Sequence, residues 1–185
     1  MSTPTRIALV GCGAIGTAML ELLQADATLK IAAIVVPADA VAPAQAVAGR
    51  LAPGAQVVSS VPGAGIDLVV EAAGHAAIEA HVLPALQRGT PCVVASVGAL
   101  SAQGFAEKLE AAAVAGKTQV QLIAGAIGAI DALAAARVGG LDEVIYTGRK
   151  PARAWLGTPA AQLFDLDAQY VHFDEQQLQF APHYW

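Results

Sequence analysis

The sequence predicts an α/β fold in which a mostly parallel β-sheet is covered by helices. Short apolar runs rich in Val and Ile alternate with Ala-rich runs along the chain, and this alternation is typical of parallel sheets with helical crossovers. The first apolar run, residues 7–10, leads directly into a glycine turn followed by apolar residues at helical spacing. The chain is therefore expected to open with a strand, a tight turn and a helix.

The remaining elements follow from the same patterns. Predicted strands cover residues 7–10, 29–36, 56–59, 67–71, 92–96 and 119–123. Predicted helices cover residues 14–24, a run from 75 towards 89 that Pro84 should kink, and a run capped by Ser101 that ends at Gly116. Asp131 is expected to cap a short helix over residues 132–136.

The glycine turn follows the pattern G-x-G-x-x-G. In that pattern the first glycine permits the tight turn, the second lets a pyrophosphate approach the backbone, and the third lets the helix pack on the strand. The N–H groups at the helix start would face the phosphates. We interpret the turn as part of a dinucleotide site in a Rossmann-type doubly wound sheet, the alternative being a purely structural turn. Its candidate binding residues are Gly11, Gly13, Ala14, Ile15 and Gly16.

Further candidate residues follow the other strands. Ligands of open parallel sheets bind at the carboxyl ends of the strands, so the loops there should share one edge. Small residues in these loops leave room for a flat nicotinamide ring and its ribose, although tight turns alone would also explain them. The candidates are Ala73, Gly74 and His75 after the fourth strand, Ser96, Val97 and Gly98 after the fifth, and the loop 125–128 after the sixth.

The sequence leaves the choice between NAD and NADP open. An acidic residue about 20 positions after the glycine turn would hold the ribose 2′-OH of NAD, whereas an arginine would favour the 2′-phosphate of NADP. Asp39 lies slightly late and behind Pro37, and the nearest arginine, Arg50, belongs to another segment. Asp39 is therefore a candidate for the ribose contact, and a solvated loop acid is the alternative interpretation that we favour.

Composition argues against several classes of partner. The net charge is −5 and charged residues make up 14% of the chain, which offers no basic surface for nucleic acid or anionic lipid. Apolar runs are too short to span a membrane, and the first residues are too polar for a signal peptide, so we expect a cytoplasmic protein. Cys12 and Cys92 have no metal-ligand spacing, so we expect small buried hydrophobes and no metal site.

Three further segments give the sequence a family resemblance. They read EAAGH at residues 71–75, VASVGAL at residues 94–100, and an extended run over residues 125–151. Together with the glycine turn they resemble bacterial NAD(P)-dependent L-aspartate dehydrogenase. The resemblance implies oxidative deamination of aspartate linked to NAD biosynthesis, and it places Ala126 at a contact with the cofactor. It also implies a Rossmann domain over residues 1–124 and an incomplete second α+β domain, for substrate and dimer contacts, over residues 125–185.

The resemblance ends at about Asp167. In the family, an Asn-containing loop at the cofactor and a histidine acting as acid/base lie farther along, in segments that this sequence does not contain. Residues 169–185 differ sharply in composition from the Ala/Val/Gly-rich body. We therefore expect a truncated or frame-altered aspartate dehydrogenase or a naturally shortened relative, and we assign no catalytic residue.

Several cationic and titratable side chains are weaker candidates. A basic cluster could hold a dicarboxylate by paired hydrogen bonds, or could be a solvated edge. His75 could reach phosphate or substrate, whereas His81 is expected at the surface. Two histidines in the divergent tail match no family motif. The basic cluster consists of Arg149, Lys150 and Arg153, and the tail histidines are His172 and His183.

Three functional hypotheses follow from these observations. The first is an aspartate dehydrogenase acting on aspartate, or on oxaloacetate and ammonia. The second is a nicotinamide-dinucleotide-binding module or pseudoenzyme without turnover, and the third, based only on the shared fold, is a reductase of another imine or semialdehyde. A second domain cut within its sheet would expose strand edges and apolar faces, so we also expect self-association through residues 141–185.

Overall fold

Six parallel strands form the centre of the structure, a computed structural model that describes residues 3–125, 129–145 and 156. The strand order in the sheet is β3-β2-β1-β4-β5-β6, which is the doubly wound order of dinucleotide-binding sheets. This confirms the predicted Rossmann-type α/β fold. The strands are β1 (Thr5–Val10), β2 (Leu29–Val35), β3 (Gln56–Val58), β4 (Leu68–Glu71), β5 (Cys92–Val94) and β6 (Val120–Leu122).

The register brings the carboxyl ends of the central strands to one edge. Val10, the last residue of β1, pairs with Val35 of β2 on one side and with Glu71 of β4 on the other. Glu71 in turn pairs with Val94, the last residue of β5. The loops after these strands therefore start at the same level, and the strand order reverses between β1 and β4.

Helices cover both faces of this sheet. Three consecutive helical segments follow β4: α3, a π-helical turn over Ile78–Val82, and α4. Short 3₁₀ turns over Ala38–Ala40 and Val97–Ser101 follow β2 and β5. The helices that pack on the sheet are α1 (Ala14–Leu23), α2 (Val41–Leu51), α3 (His75–Ala77), α4 (Leu83–Gln87) and α5 (Phe105–Ala115). A further helix, α6 (Ile130–Gly139), follows β6 in sequence.

Alternation along the strands produces two apolar layers. Ile7 and Leu9 of β1 pack with Leu20 of α1 and with the buried residues of α2. Ala8 and Val10 belong to the opposite layer, where the helical run after β4 and α5 cover the sheet. Because both faces are covered, strands of near-continuous Val, Ile and Leu are expected here rather than an alternating pattern.

The structure corrects the predicted elements at several places. We predicted no helix between the second and third strands, yet α2 lies there and buries Ala44, Ala48 and Leu51. This helix tolerates Pro43 because Pro43 lies in its first turn, where an N–H group has no intrahelical acceptor. The bend expected at Pro84 takes the form of the π-helical turn just before it.

Two predicted helix caps were wrong. The Ser101 hydroxyl donates to the carbonyl oxygen of Gly98, 2.8 Å away, within the 3₁₀ turn. Helix α5 starts later and is preceded by Gly104 in the left-handed conformation, with φ of 76°. Asp131 lies inside the first turn of α6, which begins at Ile130. In both cases a side chain able to cap a helix predicted a helix start at a residue where the helix does not begin.

The chain divides into two units, Met1–Asp131 and Ala132–Trp185. The proposed seam at residue 124 stays a prediction, as does the second α+β domain. Within the described ranges 3–125 and 129–145, no helix is long and apolar enough to cross a membrane. In that same part of the chain, no group of three or more His, Cys, Asp or Glu side chains could hold a metal ion.

Candidate nucleotide site

Two glycines of the turn between β1 and α1 are required by backbone packing. Gly11 has φ of +98°, and a Cβ atom there would lie 2.7 Å from the carbonyl oxygen of Ala72. A Cβ atom at Gly16 would overlap the carbonyl oxygen of Gly11. The turn therefore presses against both the loop after β4 and the start of α1. These contacts are those expected of the first and third glycines of a dinucleotide turn.

Gly13 differs from its two neighbours in the motif because it faces open space. Apart from its two chain neighbours, no described residue has an atom within 4 Å of a Cβ placed on Gly13. Ala14 and Ile15 beside it are exposed, and Ile15 has 61% of its surface accessible. The second glycine of the motif thus lies on an open surface, as the approach of a pyrophosphate requires.

The amino end of α1 has a polarity that suits an anion. No side chain in the described part of the chain caps this helix, and its first turn contains no acidic residue. The first helical hydrogen bond runs from the Thr17 N–H to the Gly13 carbonyl oxygen, 2.9 Å away, so the N–H groups before Thr17 lack intrahelical acceptors. These N–H groups and the positive end of the helix dipole can bind a phosphate group.

On the other side of the strand reversal, Glu71 ends β4 with a fully buried side chain. Its Oε1 accepts hydrogen bonds from the N–H groups of Ala73, at 2.7 Å, and Gly74, at 2.8 Å. The Ser96 hydroxyl donates to Oε1 at 2.8 Å, and the Ser96 N–H donates to Oε2 at 3.0 Å. We call residues 72–74 and 95–96, which this side chain joins, the carboxylate loops.

His75 and Gly98 bring the same two loops together on their exposed side. A Cβ atom added to Gly98 would lie 2.7 Å from Nε2 of His75, so the imidazole ring lies directly against the Gly98 backbone. Val97 is half-buried in the 3₁₀ turn beside it. The structure therefore brings the predicted candidates of these two loops into one neighbourhood, next to the glycine turn.

The end of β2 carries no acidic side chain at the position where a ribose contact is expected. Val36 is buried, and the N–H of Val36 donates to the Val58 carbonyl oxygen at 3.0 Å. Asp39 is exposed within the following 3₁₀ turn. Arg50 lies in the last turn of α2. Neither Asp39 nor Arg50 therefore lies directly at the end of β2.

Several predicted residues lie outside the described part of the chain. These are Ala126, the basic cluster Arg149, Lys150 and Arg153, and the tail histidines His172 and His183. His81 was expected at the surface, but the structure leaves it half-buried in the π-helical turn. Partial burial there lowers the pKa of His81 below its ordinary value, because the charged imidazolium loses hydration.

The two cysteines differ from each other. Cys92 is buried as predicted, and burial raises the pKa of its thiol to about 12. Cys12, in the glycine turn, is only half-buried, so the prediction of full burial was wrong for this residue. Both thiols are free.

Glu71 belongs to the family motif EAAGH, but its sequence context did not predict what its side chain does. A carboxylate that ends a strand of buried apolar residues is the signal that could have identified it, since such a group requires several donors. Its donor Ser96 lies 25 positions away in sequence, so no local pattern connects the two residues.

Comparisons with known proteins agree with this geometry. Residues 11–122 match the family model described as "Homoserine dehydrogenase, NAD binding domain". The chain is 62% identical over 162 residues to an L-aspartate dehydrogenase of Cupriavidus necator, covering 88% of this chain and 61% of that protein. It is 56% identical over 161 residues to an L-aspartate dehydrogenase of Pseudomonas aeruginosa, covering 86% and 60%. The predicted resemblance is confirmed, and the chain spans about three fifths of the length of these relatives.

Solved structures show the same fold. The aspartate dehydrogenase of Thermotoga maritima superposes with a TM-score of 0.52 at 20% identity, over 86% of this chain and 68% of that one. The WlbA dehydrogenase of Bordetella pertussis, solved with NADH and UDP-GlcNAcA, superposes with a TM-score of 0.60 at 17% identity, over 82% and 49%. At these identities the likeness concerns the fold alone.

Proposed function

The chain belongs to the family of NAD-binding domains described for homoserine dehydrogenase, and from that premise we propose that it forms the coenzyme-binding part of an NAD(P)-dependent L-aspartate dehydrogenase. The observation that carries the proposal is the open start of α1 beside Gly13, which no side chain of the described residues caps and which lies where the strand order reverses. Ligands of doubly wound sheets bind in the crevice at that reversal. The substrate class follows from the 62% identity with a protein named L-aspartate dehydrogenase.

In this proposal, each loop at the carboxyl ends of the strands has a role. Gly11 and Gly16 hold the turn in shape, while Gly13 lets the pyrophosphate reach the free N–H groups of α1. The carboxylate loops, with His75 and Gly98 beside them, bound the space for the nicotinamide half. When bound, the nicotinamide supplies a site that accepts a hydride from the substrate carbon. Ala126 is proposed to contact the coenzyme as well.

The proposed reaction is oxidative deamination of aspartate to iminoaspartate and then oxaloacetate and ammonia, in a step linked to NAD biosynthesis. Residues 1–124 would bind the coenzyme, and residues 125–185 would supply substrate and dimer contacts. We propose a cytoplasmic homo-oligomer, assembled through residues 141–185. Light scattering over a dilution series checks the assembly, and a monodisperse monomer at every concentration would contradict it.

The test uses the fluorescence of NADH with the purified full chain, before and after addition of oxaloacetate and ammonium. Binding is expected to enhance the emission, and turnover is expected to make it decay only when both substrates are present. Oxaloacetate alone and 2-oxoglutarate with ammonium serve as controls. Enhanced emission without decay would contradict the enzymatic part and leave a nucleotide-binding module, while unchanged emission would contradict the whole proposal.

A further inference from the structure

Glu71 is the only buried charged side chain in the part of the chain that the structure describes. It follows Leu68, Val69 and Val70 at the end of β4, and none of its surface is accessible. Burying a carboxylate is costly unless several hydrogen bonds replace its hydration. A short apolar side chain would end the strand at a lower cost in free energy. Packing alone therefore does not explain why a carboxylate lies at this position.

The hydrogen bonds of this carboxylate indicate that reason. Two backbone donors come from the loop after β4, at Ala73 and Gly74, and two donors come from Ser96 in the loop after β5. Each oxygen therefore accepts at least one hydrogen bond, and Oε1 accepts three. Donors alone surround the group, as a carboxylate that only accepts requires.

We propose that Glu71 is a positioning residue, which sets the distance between the two carboxylate loops and thereby shapes the site for the nicotinamide half of the coenzyme. The inference rests on the proposed function, because it concerns the same nucleotide site. Glu71 itself is buried beneath the loops, so it acts through the backbone of Ala73, Gly74 and Ser96 and does not contact the coenzyme.

The fold assigns this effect to one half of the dinucleotide. A doubly wound sheet consists of two mononucleotide-binding halves, and the pyrophosphate lies at the start of the first helix. The glycine turn and α1 belong to the half with β1 to β3, whereas the carboxylate loops belong to the half with β4 to β6. Loosening the carboxylate loops should therefore weaken contacts with the nicotinamide nucleoside and spare those with adenosine and the phosphates.

The surface of these loops is free to contact a flat ring. Apart from the chain neighbours of Gly74, no described residue approaches within 4 Å of a Cβ placed on it, and Ala73 and Gly98 are exposed. Apart from the His75 ring beside Gly98, the shape of this surface depends mainly on the course of the backbone. The hydrogen bonds of Glu71 therefore control the shape that a ligand would meet.

The decisive variant is Glu71→Gln, which keeps the size of the side chain but replaces one acceptor oxygen by an amide donor. If the amide oxygen keeps the three donors at the Oε1 position, the new NH₂ group faces the N–H of Ser96. Two donors then oppose each other, and the loop after β5 moves away. Glu79→Gln is the matched control, because Glu79 is exposed and pairs only with Lys108 among the described residues.

Two probes separate positioning from general loss of structure. NADH contains both nucleotides, whereas ADP has the adenosine and two phosphates but no nicotinamide riboside. For Glu71→Gln we expect NADH to bind about tenfold more weakly, equivalent to about 1.4 kcal/mol, while the affinity for ADP changes less than about twofold. Glu79→Gln should bind both probes as the wild-type protein does.

Ser96→Ala is a second variant, which tests the inference if Glu71→Gln does not fold. It removes only the hydroxyl donor to Oε1 and retains the backbone N–H, so we expect a smaller loss, about threefold for NADH and none for ADP. Hydrogen exchange at the Ser96 amide should be faster in Glu71→Gln than in the control, which reports the loop directly without any ligand.

Equal affinity of the variants and wild type for NADH would overturn the inference, as would an equal loss for NADH and ADP. If the wild-type protein binds neither nucleotide, the proposed function itself is contradicted and the inference falls with it. The assignment of Glu71 as a positioning residue is supported if the wild-type protein binds both NADH and ADP, and if the Glu71→Gln and Ser96→Ala variants lose affinity for NADH alone.

Discussion

The two sides of the proposed nucleotide site are held in shape by opposite means. The glycine turn depends on the absence of side chains, since Cβ atoms at Gly11 or Gly16 would overlap backbone atoms. The carboxylate loops depend on the presence of one side chain, the buried Glu71, which accepts hydrogen bonds from both loops. The first side is rigid through close packing, and the second through a polar network.

This difference determines how each side should respond to substitution. Overlap with a backbone oxygen cannot be relieved by turning a side chain, so it should affect the stability of the whole fold. A hydrogen-bonded loop can move while the strands remain paired. Loss of its hydrogen bonds should therefore change the shape of the site more than the stability of the fold. The comparison predicts large effects on stability at the glycine turn and selective effects on binding at the carboxylate loops.

The largest effect is expected for Gly16→Ala. The new methyl group would overlap the Gly11 carbonyl oxygen, so α1 must shift from β1 at a cost of about 3 kcal/mol in the free energy of unfolding. Urea denaturation measures the change.

Gly49→Ala is the control for Gly16→Ala. Gly49 is exposed in α2, and no described residue approaches a Cβ there. Alanine is the better helix former, so we expect a gain of about 0.5–1 kcal/mol. Equal stability of Gly16→Ala and wild type would show that the turn is not closely packed.

The stability of the fold should decrease at alkaline pH because of Cys92 in β5. Burial raises the pKa of the Cys92 thiol to about 12 from an ordinary value of 9.0. Between these values the unfolded chain loses the proton and the folded chain keeps it, so stability falls as pH rises, by at most about 1.4 kcal/mol per pH unit. Well below pH 9 both states keep the thiol proton, so this group does not make the free energy of unfolding depend on pH.

Denaturation at pH 8 and pH 10.5 checks the contribution of Cys92. The wild-type protein should lose about 2 kcal/mol more than the Cys92→Ala variant over this interval, because the variant has no thiol to titrate. Other groups that titrate are common to both proteins and cancel in the difference. Parallel pH profiles would contradict the raised pKa.

Gly13→Ala should separate binding from stability within the glycine turn itself. Gly13 has φ of −77°, which alanine adopts without strain, and its Cβ meets open space among the described residues. The fold should lose less than about 1 kcal/mol, whereas NADH affinity should fall about tenfold because the methyl group occupies the space of the pyrophosphate. Fluorescence titration measures the affinity.

The Gly49→Ala variant again serves as the control, with NADH affinity equal to that of wild type. Unchanged NADH affinity in Gly13→Ala would mean that the pyrophosphate does not approach this glycine. A large loss of stability would mean that Gly13 is packed like Gly11 and Gly16, which would remove the contrast within the turn.

The smallest effect is expected at the contact between His75 and Gly98. A methyl group at Gly98 would meet Nε2 of His75 at 2.7 Å, but the imidazole is exposed and can turn aside. Gly98→Ala should therefore cost about 1 kcal/mol or less. In the double variant with His75→Ala the cost should vanish, and a double-mutant cycle measures this coupling. Additive effects would contradict the contact.

The sequence predicted the sheet well because its strands are buried on both faces and read as short apolar runs. Helix α2 was missed because its apolar residues are small alanines and Pro43 suggested a break, although Ala44, Ala48 and Leu51 have helical spacing. The Ser101 cap failed because its hydroxyl bonds within a preceding 3₁₀ turn. Local patterns decide such boundaries only when no competing acceptor is nearby.

The candidate site was predictable to a different degree on its two sides. The glycine turn is local in sequence, so its pattern specifies both the backbone and the ligand class. The joining of the carboxylate loops depends on Glu71 and Ser96, which lie 25 positions apart and meet only because β4 and β5 are neighbours. Such a contact depends on how two distant side chains meet across the sheet, which a local sequence pattern does not supply.

The most direct test of the nucleotide site is an amide NMR titration of the full chain with NADH. We expect the largest shifts at Gly13 and Ile15 of the glycine turn and at Gly74 and Ser96 of the carboxylate loops. Shifts confined to the groove at the other end of the sheet, which Leu23, Lys30 and Arg50 help to line, would contradict this expectation, as would no shifts at saturating NADH.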